Sequence, residues 1–510
     1  MKTHLRTAAV CAAAIGILSA GLVSLGSEQE PRTWTSADGQ HTTQATLLAF
    51  QDGKVQLCRA DGKQVAVASA ALCAADREYV RAELQRRKQA AAKPSEAKSS
   101  SSQTAPPAAG GDWPRWRGPQ LDAHCAETGL LQQWPDGGPR LLWQIEGLGT
   151  GYASVSVAGG KIFTMGRKDG VENLIALKAD DGSPLWSTPV GPGRNQKGSN
   201  CSPTVDGELV YAISIEGDLI CARADSGAAV WQKNFARDFG GKMMSGWGFS
   251  ESPLVDGDTL LCTPGGPQAI VAALDKKTGR TLWTTAMPYG GSQGQDGAGY
   301  SSIVISHGAE VKQYVQLVGR GLIGVAADSG QLLWRYDRIA NGVANIPTPI
   351  VSGDFILCST GYQTGAALLK LTRSGDGVQA VEQFFLESDK LQNHHGGMVL
   401  LDGHIYCGHR HNQGFPICVE MSTGRIRWGG DQRGAGSGSA AVLYADGHLY
   451  FRYQNGVMAL IEATPERYNL KSSFKLASVR AESWPHPVIA GGRLLVRDQE
   501  VLMCYDVQAK

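Results

Sequence analysis

Along most of the chain, short apolar runs are separated by turns rich in Asp and Gly, and one such unit recurs. Val271-Ala272-Ala273-Leu274 reads as an apolar strand, Asp275-Lys276-Lys277-Thr278-Gly279 as a turn, and Thr281-Leu282-Trp283 as the returning strand. Asp bonds backbone two residues on, and Gly accepts the positive φ of a tight turn. The same phrase ends in Trp186, Trp231, Trp334 and Trp428, four residues after Gly182, Gly227, Gly330 and Gly424, as Trp283 follows Gly279. Successive Trp residues fall 45, 52, 51 and 94 apart, the last being about two periods. Self-similarity at this spacing fits one four-stranded propeller blade per repeat. A buried indole removes roughly 150–250 Å² from water, which suits these Trp residues to join one unit to the next.

A second count is independent of the first. Gly159-Gly160, Asp206-Gly207, Asp256-Gly257, His307-Gly308, Ser352-Gly353, Asp402-Gly403, Asp446-Gly447 and Gly491-Gly492 each separate two β-rich runs. Such dipeptides between apolar residues are hairpin signals. Eight of them predict eight blades. Leu141-Leu142-Trp143 is a Trp strand with no blade before it, and Val501-Leu502-Met503-Cys504-Tyr505 is a third strand with no fourth after it. Pairing the two would complete the eighth blade and cover both free edges. The expected fold is therefore all-β, an eight-bladed propeller closed by its terminal strands.

The N-terminal part reads differently. Lys2 and Arg6 precede an uncharged run from Thr7 to Leu25, so residues 1–27 are expected to be a secretory signal peptide or an N-terminal anchor. Residues 31–84 read as a small β-barrel module: strands around Trp34, Leu47, Val55 and Val65, with helical character from Ala74. Residues 85–111, rich in Lys, Ala, Ser and Pro, read as a flexible linker. The propeller then occupies 112–510 and opens on Trp113-Pro114-Arg115-Trp116-Arg117-Gly118-Pro119, a lead-in expected to pack across one face. Lys+Arg 48 against Asp+Glu 47 leaves no electrostatic footprint for nucleic acid. Contact with a membrane is expected only through an uncleaved N-terminal segment.

Two resemblances carry further expectations. Arg32-Thr33-Trp34-Thr35, Asp52-Gly53-Lys54-Val55, Asp61-Gly62-Lys63 and Asp76-Arg77-Glu78-Tyr79-Val80 resemble the SH3-like Sla homology domain, which implies protein or peptide binding. Four sets of residues resemble the pyrroloquinoline-quinone-type (PQQ-like) β-propeller family. They are the five Gly-to-Trp phrases, the lead-in, Gly246-Trp247-Gly248-Phe249-Ser250-Glu251-Ser252-Pro253, and Asn393-His394-His395-Gly396-Gly397. The combination is similar to secreted proteins of planctomycete-type bacteria. The family includes quinoprotein dehydrogenases and a non-catalytic branch resembling the outer-membrane-protein assembly factor B lipoprotein. The enzymes carry adjacent cysteines under the quinone, an Asp base, and calcium held by Glu, Asn and Asp.

The residues favour the non-catalytic branch. No Cys-Cys pair occurs. Glu251, Asn345 and Asp296 are scattered candidates for a calcium ion that needs six to eight oxygens. Among His394, His395, His404, His409 and His411, adjacent His394 and His395 on a strand would point to opposite faces, whereas His409 and His411 would share one. No metal site and no catalytic set is assigned. Cys407 and Cys418 flank a hairpin almost symmetrically and are the one candidate disulfide. The expected binding face is the channel mouth: Trp247, Glu251, Asn345, His394 and His395. The function expected is that of an exported, non-enzymatic, monomeric scaffold or binding protein of the periplasm or envelope, which binds a partner protein or a small ligand and has no resident cofactor. The alternatives are a dehydrogenase using PQQ and calcium, and an envelope assembly factor.

Overall fold

The computed structural model describes residues 32–80, apart from 52–53 and 60–62, and residues 111–509, apart from 196, 289 and 376. The leader read over 1–27, nearly all of the linker, and the turns at Asp52-Gly53 and Asp61-Gly62 lie outside these residues. The chain separates into two compact units, one within 1–102 and the other within 103–510. Among the described residues no helix is long and apolar enough to cross a membrane.

The small unit is an antiparallel meander of Arg32–Thr35, Thr42–Gln51, Lys54–Arg59 and Gln64–Ala68, followed by a helix over 74–80. Alternation sets its core: Val55 and Leu57 point inward to meet Trp34, Ala45, Leu47, Leu72 and Val80. The Arg32 guanidinium stacks 3.8 Å from the Tyr79 ring centroid and bonds Asp76 at 2.7 Å, tying the first strand to the helix.

The larger unit has the repeated-sheet architecture of a β-propeller. Among the described residues it contains eight sheets, all antiparallel except that His124–Cys125 adds a parallel fifth strand to the seventh, beside Ala440–Ala445. The first is Ser156–Ala158, Lys161–Lys168, Val171–Lys178 and Pro184–Pro192, and six more occupy 204–234, 254–285, 304–336, 350–387, 398–429 and 440–475. The eighth joins Val488–Ala490, Arg493–Asp498 and Val501–Asp506 to Arg140–Ile145, with Cys504 opposite Trp143. Middle strands such as Gln313–Val318 and Gly321–Ala326 are buried at every position, because neighbouring sheets cover both faces.

The repeated Trp residues lie on the fourth strands and reach the next sheet. A Cβ on Gly279 would sit 2.7 Å from the Trp231 ring, and one on Gly182 would sit 2.9 Å from Trp143. The Trp231 indole donates to the Lys276 carbonyl at 3.1 Å and the Trp186 indole to that of Ala224 at 3.3 Å. The repeat Gly thus has two reasons to lack a side chain: its positive φ, 71° at Gly279, and the ring lying against it. The pattern breaks where the sequence breaks. Trp334 bonds Gln313 of its own sheet, and Gly424 meets Phe384 and Leu386 instead of an indole.

A second set of bonds links the sheets where their short first strands begin. The N–H of Ser154 donates to Ser202 Oγ (3.1 Å), that of Ser202 to Ser252 Oγ (3.2 Å), and that of Ser252 to Ser302 Oγ (3.0 Å). Ser302 N–H continues to Thr348 Oγ1 at 3.4 Å, and Ser154 Oγ donates to the His486 carbonyl at 2.6 Å. Beyond Thr348 the sequence offers no hydroxyl, and the lead-in takes over. Trp116 Nε1 donates to Thr348 Oγ1 at 3.1 Å and Arg117 Nη2 to the Met398 carbonyl at 2.7 Å. Arg115 reaches the Val255 carbonyl, and Trp113 bridges Val157.

The expected disulfide is corrected by register. Cys407 stands opposite Ile417 and Cys418 opposite Tyr406, one position out of step. The thiols therefore project from opposite faces into different core clusters, and both are free. Replacing Trp231 by Ala is expected to cost about 3 kcal/mol in urea denaturation, while Val230→Ala at the exposed neighbour stays within about 0.5 kcal/mol.

Candidate functional site

Two positions before each ring hydroxyl, the chain presents a side chain to a cavity of about 400 Å³. Tyr152, Asn200, Ser250, Tyr300 and Ile346 precede Ser154, Ser202, Ser252, Ser302 and Thr348 in this way, and all line it. Trp484, two before His486, lines it as well. Trp116 and Arg117 of the lead-in also belong to its wall.

The wall is mostly rings. An arc runs through Tyr152, Trp484, His395, His394, His411 and Tyr362, with successive centroids 4.6, 4.5, 3.5, 3.9 and 4.3 Å apart. Trp116 meets His486 at 4.5 Å, and Trp247 meets Tyr300 at 6.1 Å. His394 Nδ1 contacts Ser439 Oγ at 2.9 Å, and its Nε2 contacts the Tyr362 hydroxyl at 3.2 Å. Tyr362 has φ 54°, a left-handed conformation that costs a non-glycine residue energy and marks functional positions. Burial keeps the imidazoles neutral: it holds His395 down at about 3 and His486 at about 4, and His394 lower still. His395 Nδ1 and Trp484 Nε1 are buried without a hydrogen-bond partner.

Of the five residues expected at the mouth, the structure brings three together. Trp247, His394 and His395 line the cavity; Glu251 and Asn345 do not. Glu251 is buried, accepting from Thr263 N at 2.6 Å and Thr263 Oγ1 at 2.7 Å. The Asn345 amide donates to the Val318 and Gly319 carbonyls, and its oxygen accepts from Asn341 N. Asp296 is bonded to Arg320 at 2.6 Å. The opposite-face expectation for His394 and His395 is also corrected. They precede the strand Met398–Leu401, in irregular chain, so strand alternation does not apply and the rings stack. His409 and His411 do not share a face either: His409 Nδ1 accepts from Gln392 N inside the protein, while His411 joins the wall. His404 bonds the Asp402 carbonyl at a turn. Tyr152, Tyr300, Tyr362, Trp484 and His486 escaped the sequence reading. Aligning the repeats on their linking hydroxyls, at spacings of 46 to 50 residues, would have found the two that stand in that register, Tyr152 and Tyr300.

The calcium donor set of quinone enzymes does not fit this wall. Among the described residues lining it, none is Asp or Glu, whereas calcium requires six to eight oxygens, carboxylates among them. Glu251 has a different part. Burial raises its carboxyl to about 8, and that of Glu172, held by Ser199 and Ile215, to about 7.

Comparison with known proteins follows the same lines. A family model described as outer membrane protein assembly factor BamB matches residues 135–214 and 176–430, and one described as SLA1 homology domain 1 matches 26–88. Assembly factor BamB of Burkholderia pseudomallei is 30% identical over 116 residues, 22% of this chain and 27% of that protein. Tetrathionate hydrolase of Acidithiobacillus ferrooxidans is 26% identical over 280 residues, 53% of this chain and 50% of that one. The chain thus spans between about a quarter and half of these relatives' length. Quinohemoprotein alcohol dehydrogenase of Comamonas testosteroni superposes with TM-score 0.56 at 12% identity, covering 79% of this chain and 82% of that one. The enzyme ADHIIG of Pseudomonas putida HK5 gives 0.54 at 13% identity, covering 78% and 81%; both share the fold.

A raised carboxyl makes stability depend on pH with a defined sign. The unfolded glutamate loses its proton near 4.5, whereas Glu251 keeps it to about 8. Its contribution is therefore full below 4.5 and declines as pH rises toward 8. Glu251→Gln, combined with Glu172→Gln, is expected to flatten the fall in urea midpoint between pH 5 and pH 8.

Proposed function

Because this chain belongs to the family described as outer membrane protein assembly factor BamB, we propose that it is an exported, non-enzymatic binding protein of the periplasm or cell envelope. In this reading the eight sheets are eight blades of one closed ring, acting as a monomer. The pairing of Arg140–Ile145 with Val501–Asp506 supports closure. So does Arg497 of the eighth sheet, whose guanidinium donates to Thr164 Oγ1 and to the Met165 and Gly149 carbonyls beside the first. The central cavity holds a small ligand, and the loops around it, with the SH3-like module, meet protein partners of the envelope.

The observation that carries this reading is the wall itself. It is a nearly continuous arc of aromatic and neutral imidazole rings with no carboxylate among the described residues, which suits gripping a ligand.

Envelope extract passed over the immobilised full chain tests the proposal, with a Trp247→Ala/His395→Ala variant as control. The wild type is expected to retain a partner or small molecule that the folded variant loses; equal retention rejects the site. Titration with pyrroloquinoline quinone and calcium is expected to give no dye-linked oxidation of alcohols or sugars. Turnover in that assay rejects the non-enzymatic reading.

A further inference from the structure

The charge in the cavity is one-sided. Arg117 and Lys197 belong to its wall, and no acid among the described residues does. Arg117 is only 4% exposed and forms no ion pair among the described residues, although the charge of Asp122 acts on it. Its Nε and Nη2 donate to the carbonyls of Leu121, Asp122 and Met398. Buried guanidinium groups are ordinarily paired, because burying an unpaired charge is costly. Its Nη1 takes no part in those bonds and faces Gly397, where a Cβ would come within 3.1 Å of it. The backbone holds Arg117 at φ 60°, again in the left-handed region.

Lys197 is the second cation. Its ammonium lies 5.0 Å from the centroid of the Trp247 ring, and it forms no ion pair among the described residues. The third feature is Trp484 Nε1, buried and without an acceptor. An indole N–H only donates, so what completes it must accept. Glu482 is an acid bonded to a residue of the wall. It sits exposed and takes the Tyr152 hydroxyl at 3.4 Å, so it does not face Arg117 or Lys197 in an ion pair. A neutral sugar would use the rings and leave both cations idle, and a cationic ligand would meet two like charges.

Resting on the ligand-binding reading above, we propose that the cavity binds an organic anion, a carboxylate or sulfonate on a flat apolar body. The rings grip the body, while Arg117, Lys197 and Trp484 Nε1 meet the charge without a metal ion.

Calorimetric titration of the full chain with naphthalene-2-sulfonate and with its uncharged methyl sulfone tests this. The sulfonate is expected to bind about tenfold or more tightly, as charge-assisted bonds require, and to lose that preference as salt is added. Lys197→Glu is expected to weaken the sulfonate about fivefold and to leave the sulfone within about twofold. Trp484→Phe keeps a ring and removes the N–H, and is expected to weaken the sulfonate alone. Arg117→Gln risks the fold, so Lys197 and Trp484 carry the test. Equal affinities, or a sulfonate indifferent to Lys197→Glu, overturn the anion proposal and leave the cavity as a ligand site. Loss of sulfonate binding on adding a calcium chelator overturns the metal-free part. A folded chain that binds neither probe removes the anion proposal and the ligand-binding reading together.

Discussion

Ahead of four short first strands of the larger unit, at Ser154, Ser202, Ser252 and Ser302, neighbouring sheets come together and a backbone N–H lies outside the strand ladder. Buried amides left unpaired are costly, and here the answer is a hydroxyl from the next sheet. Ser202, Ser252, Ser302 and Thr348 each accept the N–H of the sheet before them. The bond does two things at once: it satisfies a donor and it fixes the angle between adjacent sheets. The Trp–Gly contacts do the same at the outer strands, with far more apolar area and less directional control.

The cavity follows from this arrangement. Small hydroxyl side chains keep the inner ends of the sheets close while leaving space between them. The residue two places earlier in each repeat then faces that space, whatever its identity. Where the hydroxyl series stops at Thr348, the lead-in supplies Trp116 and Arg117. Those two side chains serve as structural links and as cavity wall, so binding and architecture are not separable there.

Charge is distributed unevenly between the sheets and the cavity. The buried acids Glu251 and Glu172 are spent on backbone and hydroxyl donors within the sheets, where burial favours their protonated forms. Burial keeps the cavity's His394 and His395 neutral, and among the described residues its two cations form no ion pair. A wall of rings with two cations offers apolar contact area and positive charge together.

Strand period, Asp-Gly turns and the recurring Gly-to-Trp spacing were legible in the chain because each depends on residues close in sequence. They sufficed for the all-β class, the repeated sheets and the role of Trp186 and Trp231 in joining neighbours. Register and side-chain direction were not legible, since a shift of one residue exchanges the faces of a strand. That is why Cys407 and Cys418 looked paired and are not, and why Glu251 and Asn345 looked like ligands and are bound to the protein's own backbone. The arc from Tyr152 to Tyr362 joins residues from widely separated repeats. Only the tertiary structure brings them within ring-to-ring contact, because the spacing that unites them is a distance across sheets and not along the chain.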